Sequence, residues 1–225
     1  MLRQSGRTAV RILIPIAVWT AAMIGLGLLI TKILNHSWPF TAEDGVNRDL
    51  VLDRTSTWNT VSKVFSFMAE TPTIIALTAI AALVMWLVLR NFREPLFLIT
   101  AVAAQALVFL LTTLAVDRAR PGVPKLDASP PTSSFPSGHT SAALALYGGI
   151  ALVITLHARR RSLTAAWWVL LLAVPIAVAV ARLYRGMHHP SDVTASFLNA
   201  AVCIAVCARA LLAKVQSLPF VGRPR

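Results

Sequence analysis

An all-α, polytopic membrane domain is the fold class this sequence predicts, on three observations. Of its 225 residues, 56% are hydrophobic and 13% charged, with a mean hydropathy of +0.69, far more apolar than a soluble domain. Six runs, uncharged except for Arg209 near the end of the last, approach the roughly 20 apolar residues that cross a bilayer. The cations divide unevenly between the intervening loops, as they do when alternate loops lie on opposite sides of a membrane.

The first run, Ile12 to Ile30, follows Arg3, Arg7 and Arg11. It is longer than a secretory signal core, and no small-residue cleavage pattern follows in "ITKILNHSW", so a retained anchor is expected. Residues 31–70 form the one long loop. Within it Trp58, Val61, Val64, Phe65 and Met68 recur at helical spacing while Ser62 and Lys63 face elsewhere, which predicts an amphipathic helix lying on the outer interface. The remaining spans are expected at Thr71 to Leu89, Pro95 to Val116, Thr140 to Leu156, Ser162 to Ala181, and Val193 to about Ala213. Arg209 can carry its charge to the interface on its long stem. Pro15, Pro95 and Pro175 fall where lipid-embedded helices tolerate proline.

Twelve of the 21 Lys and Arg residues, but only one acidic residue, Glu94, fall in the set of segments that includes both termini. Lys and Arg accumulate on the cytoplasmic side, so cytoplasmic termini in a plasma membrane are expected, with Arg159, Arg160 and Arg161 as a topological anchor. The organisation expected is a single membrane domain over 1–225, with cytoplasmic ends at 1–11 and 214–225, an outer loop at 31–70 and a motif-bearing region at 117–192. The net charge of +12 then records topology and contact with anionic head groups. No basic patch with groove-reading or stacking residues points to a nucleic-acid partner. Cys203 and Cys207, four apart on one helical face, read as small packing residues rather than a disulfide or metal pair. The sequence leaves the oligomeric state open.

Three polar clusters interrupt this apolar chain: "DRARP" at 117–121, "SFPSGHTSA" at 134–142 and "ARLYRGMHHPSD" at 181–192. Each lies at the outer end of a span, so topology gathers Arg120, His139, Arg182, His188 and Asp192 at one face. Guanidinium forks grip phosphoryl oxygens and stay charged at any relevant pH. Ser137 can donate its hydroxyl and Gly138 leaves its N–H unobstructed at a helix N-terminus, a place that favours phosphate. Phosphoryl transfer needs charge stabilisation, a nucleophile and an acid for the leaving oxygen. Asp192, four residues after His188, could hold one ring nitrogen on a shared helical face and leave the other free to attack, the orienting logic of a catalytic triad. His139 suits the general acid. His36, His157 and His189 read as interfacial histidines. The adjacent pair His188–His189 is not a metal site, because adjacent side chains diverge and no further ligands remain.

These motifs resemble the type 2 phosphatidic acid phosphatase superfamily of integral membrane lipid phosphatases. Its signature is Lys, six residues, Arg-Pro; then Pro-Ser-Gly-His; then Ser-Arg, five residues, His, three residues, Asp. Arg120 and Pro121, Pro136 to His139, and Arg182, His188 and Asp192 fall in register, and the resemblance spans roughly residues 50–208. It implies a six-helix core, metal-independent hydrolysis with no cofactor, and a phosphohistidine intermediate. By its pattern His188 is the nucleophile, Asp192 its orienting partner and His139 the general acid, with Arg120, Ser137, Gly138 and Arg182 holding the phosphoryl group. Two positions depart: Thr113 stands where the family has Lys, and Ala181 where it has Ser. Arg118 or Lys125 is the candidate to replace the missing charge. The expected function is hydrolysis of a polyprenyl phosphate or diphosphate, phosphatidic acid or phosphatidylglycerol phosphate, with the bilayer and the lipid as partners. A lipid phosphotransferase using the same adduct, or a non-catalytic phospholipid-binding or transport protein, is the alternative.

Overall fold

The structure, a computed structural model, describes residues 2–128, 131–158 and 161–212, with side chains except at 2–7, 161 and 163. The expected tail 214–225 and the anchor residues Arg159 and Arg160 lie outside the described residues. The described residues contain helices and no strand. Six helical stretches are long and apolar enough to span a membrane, Thr8–His36, Thr71–Leu89, Arg93–Ala115, Gly138–His157, Thr164–Tyr184 and Pro190–Leu211. They coincide with the six apolar runs, so this is an integral membrane protein.

In chain order, α1 (Leu2–Leu28) runs on through a π-turn at Leu29–Ile33. Next come α2 (Glu43–Leu52) and α3 (Ser56–Phe67) in the long loop, then α4 (Thr71–Leu89) and α5 (Arg93–Ala115). The fourth span is α6 (Gly138–Ala143), a π-turn at Leu144–Gly148 and α7 (Gly149–His157). Then follow α8 (Arg161–Tyr184) and α9 (Pro190–Leu211). Thr55 caps α3, its hydroxyl accepting from the Trp58 N–H at 3.2 Å, which satisfies a donor the helix itself cannot. Pro190 opens α9 at the position where a missing N–H costs nothing.

The centre of the bundle is built on α5 and α9, with α9 packed also on α1 and α6. Phe97, Leu98, Ala101, Ala104, Gln105, Val108 and Thr112 recur every three or four residues as the buried face of α5. The matching face of α9 is small and polar, with Ala195, Ser196, Asn199, Ala200 and Cys203 buried. Small residues let helices approach in a membrane, and polar side chains then hydrogen-bond across them. Asn199 is the node: its Nδ2 donates to Ser141 Oγ at 2.9 Å and to the Gln105 carbonyl at 3.3 Å, and its Oδ1 accepts from Trp19 Nε1 at 3.1 Å. Four helices meet on that one side chain. Cys203 and Cys207 are buried free thiols.

The long loop docks through the polar face of its helix. A helix does form over the apolar stripe, but its buried residues are Ser62 and Ser66, and it packs against α8. Trp58, Val64 and Phe67 point outward. The reason is charge: Arg182 in the last turn of α8 and Arg185 just after it are buried, and buried guanidinium groups need acceptors. The two serine hydroxyls supply them.

Candidate active site

The turn between α8 and α9 sets the site. Gly186 has φ +72, and an added Cβ would lie 3.0 Å from the Pro124 carbonyl and 2.9 Å from Val123, so the left-handed residue and its close neighbours require glycine. Arg54 latches the same turn, donating to the Tyr184 carbonyl from Nε at 3.2 Å and from Nη2 at 2.8 Å, and to Pro124 from Nη1 at 2.8 Å. Asn47 Nδ2 donates to the His188 carbonyl at 3.1 Å. His188 is thereby held just ahead of α9.

Because α9 is capped at His189, His188 lies just ahead of the helix, and its expected pairing with Asp192 is a close approach rather than a hydrogen bond. Asp192 is the third residue of α9 and accepts from the His189 N–H at 2.8 Å, completing a capping box. Its other partners are Arg118 Nη1, Ser134 Oγ and the His189 ring, whose Nδ1 is 3.3 Å away. The nearer Asp192 oxygen is 3.9 Å from His188 Nδ1, while the Ser134 carbonyl is 2.8 Å from it. A carbonyl can only accept, so Nδ1 carries the proton and Nε2 is left with a lone pair. Burial, then the positive charge of Arg182, holds the His188 pKa down at about 3, which keeps that lone pair available.

Arg120 and Arg182 stand on the wall of one cavity of about 980 Å³ together with His139, His188, Gly138 and Asp127. Arg120 Nη1 donates to the Met187 carbonyl at 2.8 Å. Arg182 Nη1 donates to Ser66 Oγ and to Asp127 Oδ2, both at 2.8 Å. The Nε of each arginine is buried without an acceptor. Leaving such donors unmade costs about 1–3 kcal/mol each, and an oxyanion drawn between the guanidinium groups would supply the acceptors. Away from this polar end the cavity runs between α4 and α5 along Ile74, Ile75, Ala79, Ile99, Val102, Ala106 and Phe109. It therefore has a cationic head and an apolar slot at membrane depth.

The other expected residues divide. Gly138 and His139 line the cavity at the start of α6, and an added Cβ on Gly138 would come within 2.9 Å of the Phe109 ring. Ser137 is fully buried and acts as the N-cap of α6, 3.1 Å from the Thr140 hydroxyl and 3.4 Å from its N–H. The Thr113 hydroxyl lies 3.5 Å from the Phe135 carbonyl, and Thr113 is not on the cavity wall. Lys125 is exposed and also off the wall. Arg118 is taken up by Asp192, by Ser191 Oγ at 2.7 Å and by Glu43 at 2.6 Å. It braces the start of α9 and is not on the cavity wall.

Several residues escaped sequence reasoning. Glu43 opens α2 and receives both Arg118 and the Ser191 N–H, the latter at 2.7 Å. Ser134 supplies the carbonyl for His188 and the hydroxyl for Asp192. Arg185 and Asp127 form a bidentate pair at 2.8 and 2.6 Å. One signal was present: Asn59, Ser62 and Ser66 make a polar stripe at helical spacing on α3, opposite the apolar residues, and Arg182 and Arg185 are three apart at the end of α8 and the turn that follows.

Residues 94–216, more than half of the chain, match the family model described as the PAP2 superfamily. A comparison with curated proteins gave no match. Among solved structures, a transmembrane PAP2 type phosphatidylglycerolphosphate phosphatase from Bacillus subtilis is similar with a TM-score of 0.74 at 17% identity, over 93% of this chain and 98% of that one. LpxE from Aquifex aeolicus is similar with a TM-score of 0.61 at 18% identity, over 76% of this chain and 97% of that one. At such identities the likeness is one of fold.

Proposed function

The chain belongs to the PAP2 superfamily, and from that premise we propose that it is a membrane lipid phosphatase acting through a phosphohistidine on a phosphate carried by a lipid. The observation that carries this reading is the pairing, on one cavity wall, of two guanidinium groups that have buried unpartnered Nε–H donors with a histidine whose Nε2 is free. The apolar slot between α4 and α5 supports a lipid as the bearer of the phosphate.

In this mechanism Arg120 and Arg182 hold the phosphoryl oxygens, with the Gly138 N–H at the head of the fourth span. Nε2 of His188 attacks phosphorus, and the bond from phosphorus to the lipid oxygen breaks. His139, as the imidazolium, gives its proton to that oxygen. Water then attacks the phosphohistidine, passes a proton to His139 and releases inorganic phosphate with His188 restored. Ser134 fixes the tautomer and plane of His188, and the negative end of its carbonyl favours the positively charged ring during transfer. Asp192 acts through Ser134 and the start of α9, and Ser137 acts as the cap that holds Gly138 and His139 in place. The guanidinium groups carry the charge stabilisation that a divalent cation supplies in other phosphoryl-transfer sites.

The distribution of Lys and Arg supports an active site on the outer side, with both termini cytoplasmic. Phosphatidylglycerol phosphate is the first substrate to try, because that is the activity named for the Bacillus subtilis structure. Phosphate release should be measured from phosphatidylglycerol phosphate, phosphatidic acid and polyprenyl mono- and diphosphates, with the His188→Ala protein as blank. Release from at least one lipid, absent in the blank and unaffected by a chelator, is expected. No release from any of them, or a rate that EDTA removes and magnesium restores, would overturn the reading.

A further inference from the structure

Arg182 and Arg185 differ in what they have left to offer. All five N–H donors of Arg185 are engaged. Its Nε and Nη2 bind Asp127 at 2.8 and 2.6 Å, Nη1 binds Ser62 Oγ at 3.0 Å and the Asn59 carbonyl at 3.2 Å, and Nη2 also binds the Leu126 carbonyl at 3.1 Å. The backbone repeats the tie, with the Leu126 N–H donating to the Arg185 carbonyl at 3.1 Å. Arg185 is 4% exposed and is absent from the wall of the catalytic cavity. It has nothing free for a substrate.

Arg182 uses one nitrogen, Nη1, for Ser66 and Asp127, and its Nε is buried without an acceptor. The carboxylate of Asp127 thus joins a saturated guanidinium to one with capacity to spare. It does so from the cavity wall itself, with 27% of its side chain exposed. Its Oδ2 accepts from both arginines, so the guanidinium plane of Arg182 is fixed relative to the rigid Arg185 pair. Burial alone would raise the Asp127 pKa, but the hydrogen bonds and charges of Arg185 and Arg182 outweigh it and hold the carboxyl below its ordinary value. Asp127 is therefore an anion at any working pH.

We propose that Asp127 is a positioning residue of this site, anchored by Arg185, which aims the free edge of Arg182 at the phosphoryl group and at the same time limits how tightly phosphate is held. The proposal rests on the reading of Arg182 as a phosphate contact. Two consequences of opposite sign follow from one carboxylate. By pinning Nη1 it leaves the Nε edge in a fixed direction, which favours the transition state through orientation. By placing a negative charge beside a bound dianion it weakens the complex with phosphate, the product, and so favours its release. A purely structural strut would have the first effect only.

The test separates the two. Binding of inorganic phosphate to the full-length protein in detergent micelles should be measured by equilibrium titration, and kcat measured on the best lipid found above. Asp127→Asn keeps the shape and can still accept from one arginine. It should bind phosphate about threefold more tightly, the size expected for removing one partly exposed charge contact, while kcat falls. Arg185→Lys keeps the positive charge but cannot form the planar fork. It frees Asp127 without removing its charge, so kcat should fall with no tightening of phosphate. Tighter phosphate binding in Asp127→Asn but not in Arg185→Lys, with kcat lowered in both, supports the proposal. Unchanged or weaker phosphate binding in Asp127→Asn, or the same shift in both variants, overturns it. If the unaltered protein binds no phosphate, the assignment of Arg182 to phosphate fails first, and that result is distinct from either variant's.

Discussion

Replacing Asp192 by asparagine separates a carboxylate that acts on His188 directly from one that acts through its neighbours. The three closest partners of Asp192, the Arg118 guanidinium, the Ser134 hydroxyl and the His189 N–H, are donors. An asparagine amide carries one acceptor oxygen and one NH2, so at least one of these donors must face another donor. Loss of a hydrogen bond to a charged group costs about 1.5–3 kcal/mol. Arg118 keeps Glu43 at 2.6 Å, so the cation is not left unpaired and the cost stays below the roughly 3–5 kcal/mol of a fully broken buried pair. For a chain of this size that corresponds to a fall in Tm of about 3–12 °C. Loosening of Ser134 also lets the His188 ring drift, and a misplacement near 1 Å can cost about a hundredfold in rate. The assay is thermal unfolding in detergent beside steady-state kinetics, with Ser134→Ala as companion. The two substitutions should lower kcat non-additively, because each breaks the same connection. An Asp192→Asn protein with unchanged Tm and activity as low as His188→Ala would refute this reasoning, since the carboxylate would then serve His188 itself.

Three further outcomes are expected. With a nitrophenyl phosphate, whose leaving group needs little protonation, His139→Ala should retain much more of its activity than with a lipid alkoxide, where general acid help is worth about 10²–10⁴-fold; equal losses on both substrates would remove the acid role. Thr113→Ala should change kcat/KM by no more than about twofold, the usual range for a substitution away from the site, since Thr113 is off the cavity wall; inactivation would mean the position still contacts phosphate. Single cysteines placed at Gly122 and at Thr132, in a background lacking Cys203 and Cys207, should react with an impermeant thiol reagent in intact cells, and labelling only after lysis would invert the orientation.

How much the sequence reveals here depends on how far apart the interacting residues lie. The six spans are legible because each is a local run of apolar residues, and His139, Arg120, Arg182 and His188 stand out because polar groups are costly in such a chain. The braces are not legible, because they depend on how α2 and α3 dock. Glu43 reaches Ser191 across 148 residues, and Ser62 reaches Arg185 across 123. The expected contact between His188 and Asp192 depended on where α9 begins. The helix does start at Pro190, with His189 as the cap, and Asp192 comes within 3.9 Å of His188 Nδ1, but the Ser134 carbonyl lies closer and accepts the Nδ1 hydrogen bond. The serine stripe of α3 was visible as a pattern, but only buried arginines at the end of α8 give it a purpose.

The most direct test of the central claim is the chemical trapping of the intermediate. The protein would be mixed with a lipid substrate labelled with ³²P in the scissile phosphate, quenched in alkali within milliseconds, and digested to locate the label. An acid-labile, alkali-stable phosphate is expected on the peptide carrying His188 in the unaltered protein, and none in His188→Ala. Label retained in His188→Ala, or turnover in the unaltered protein with no label on that peptide, would contradict it.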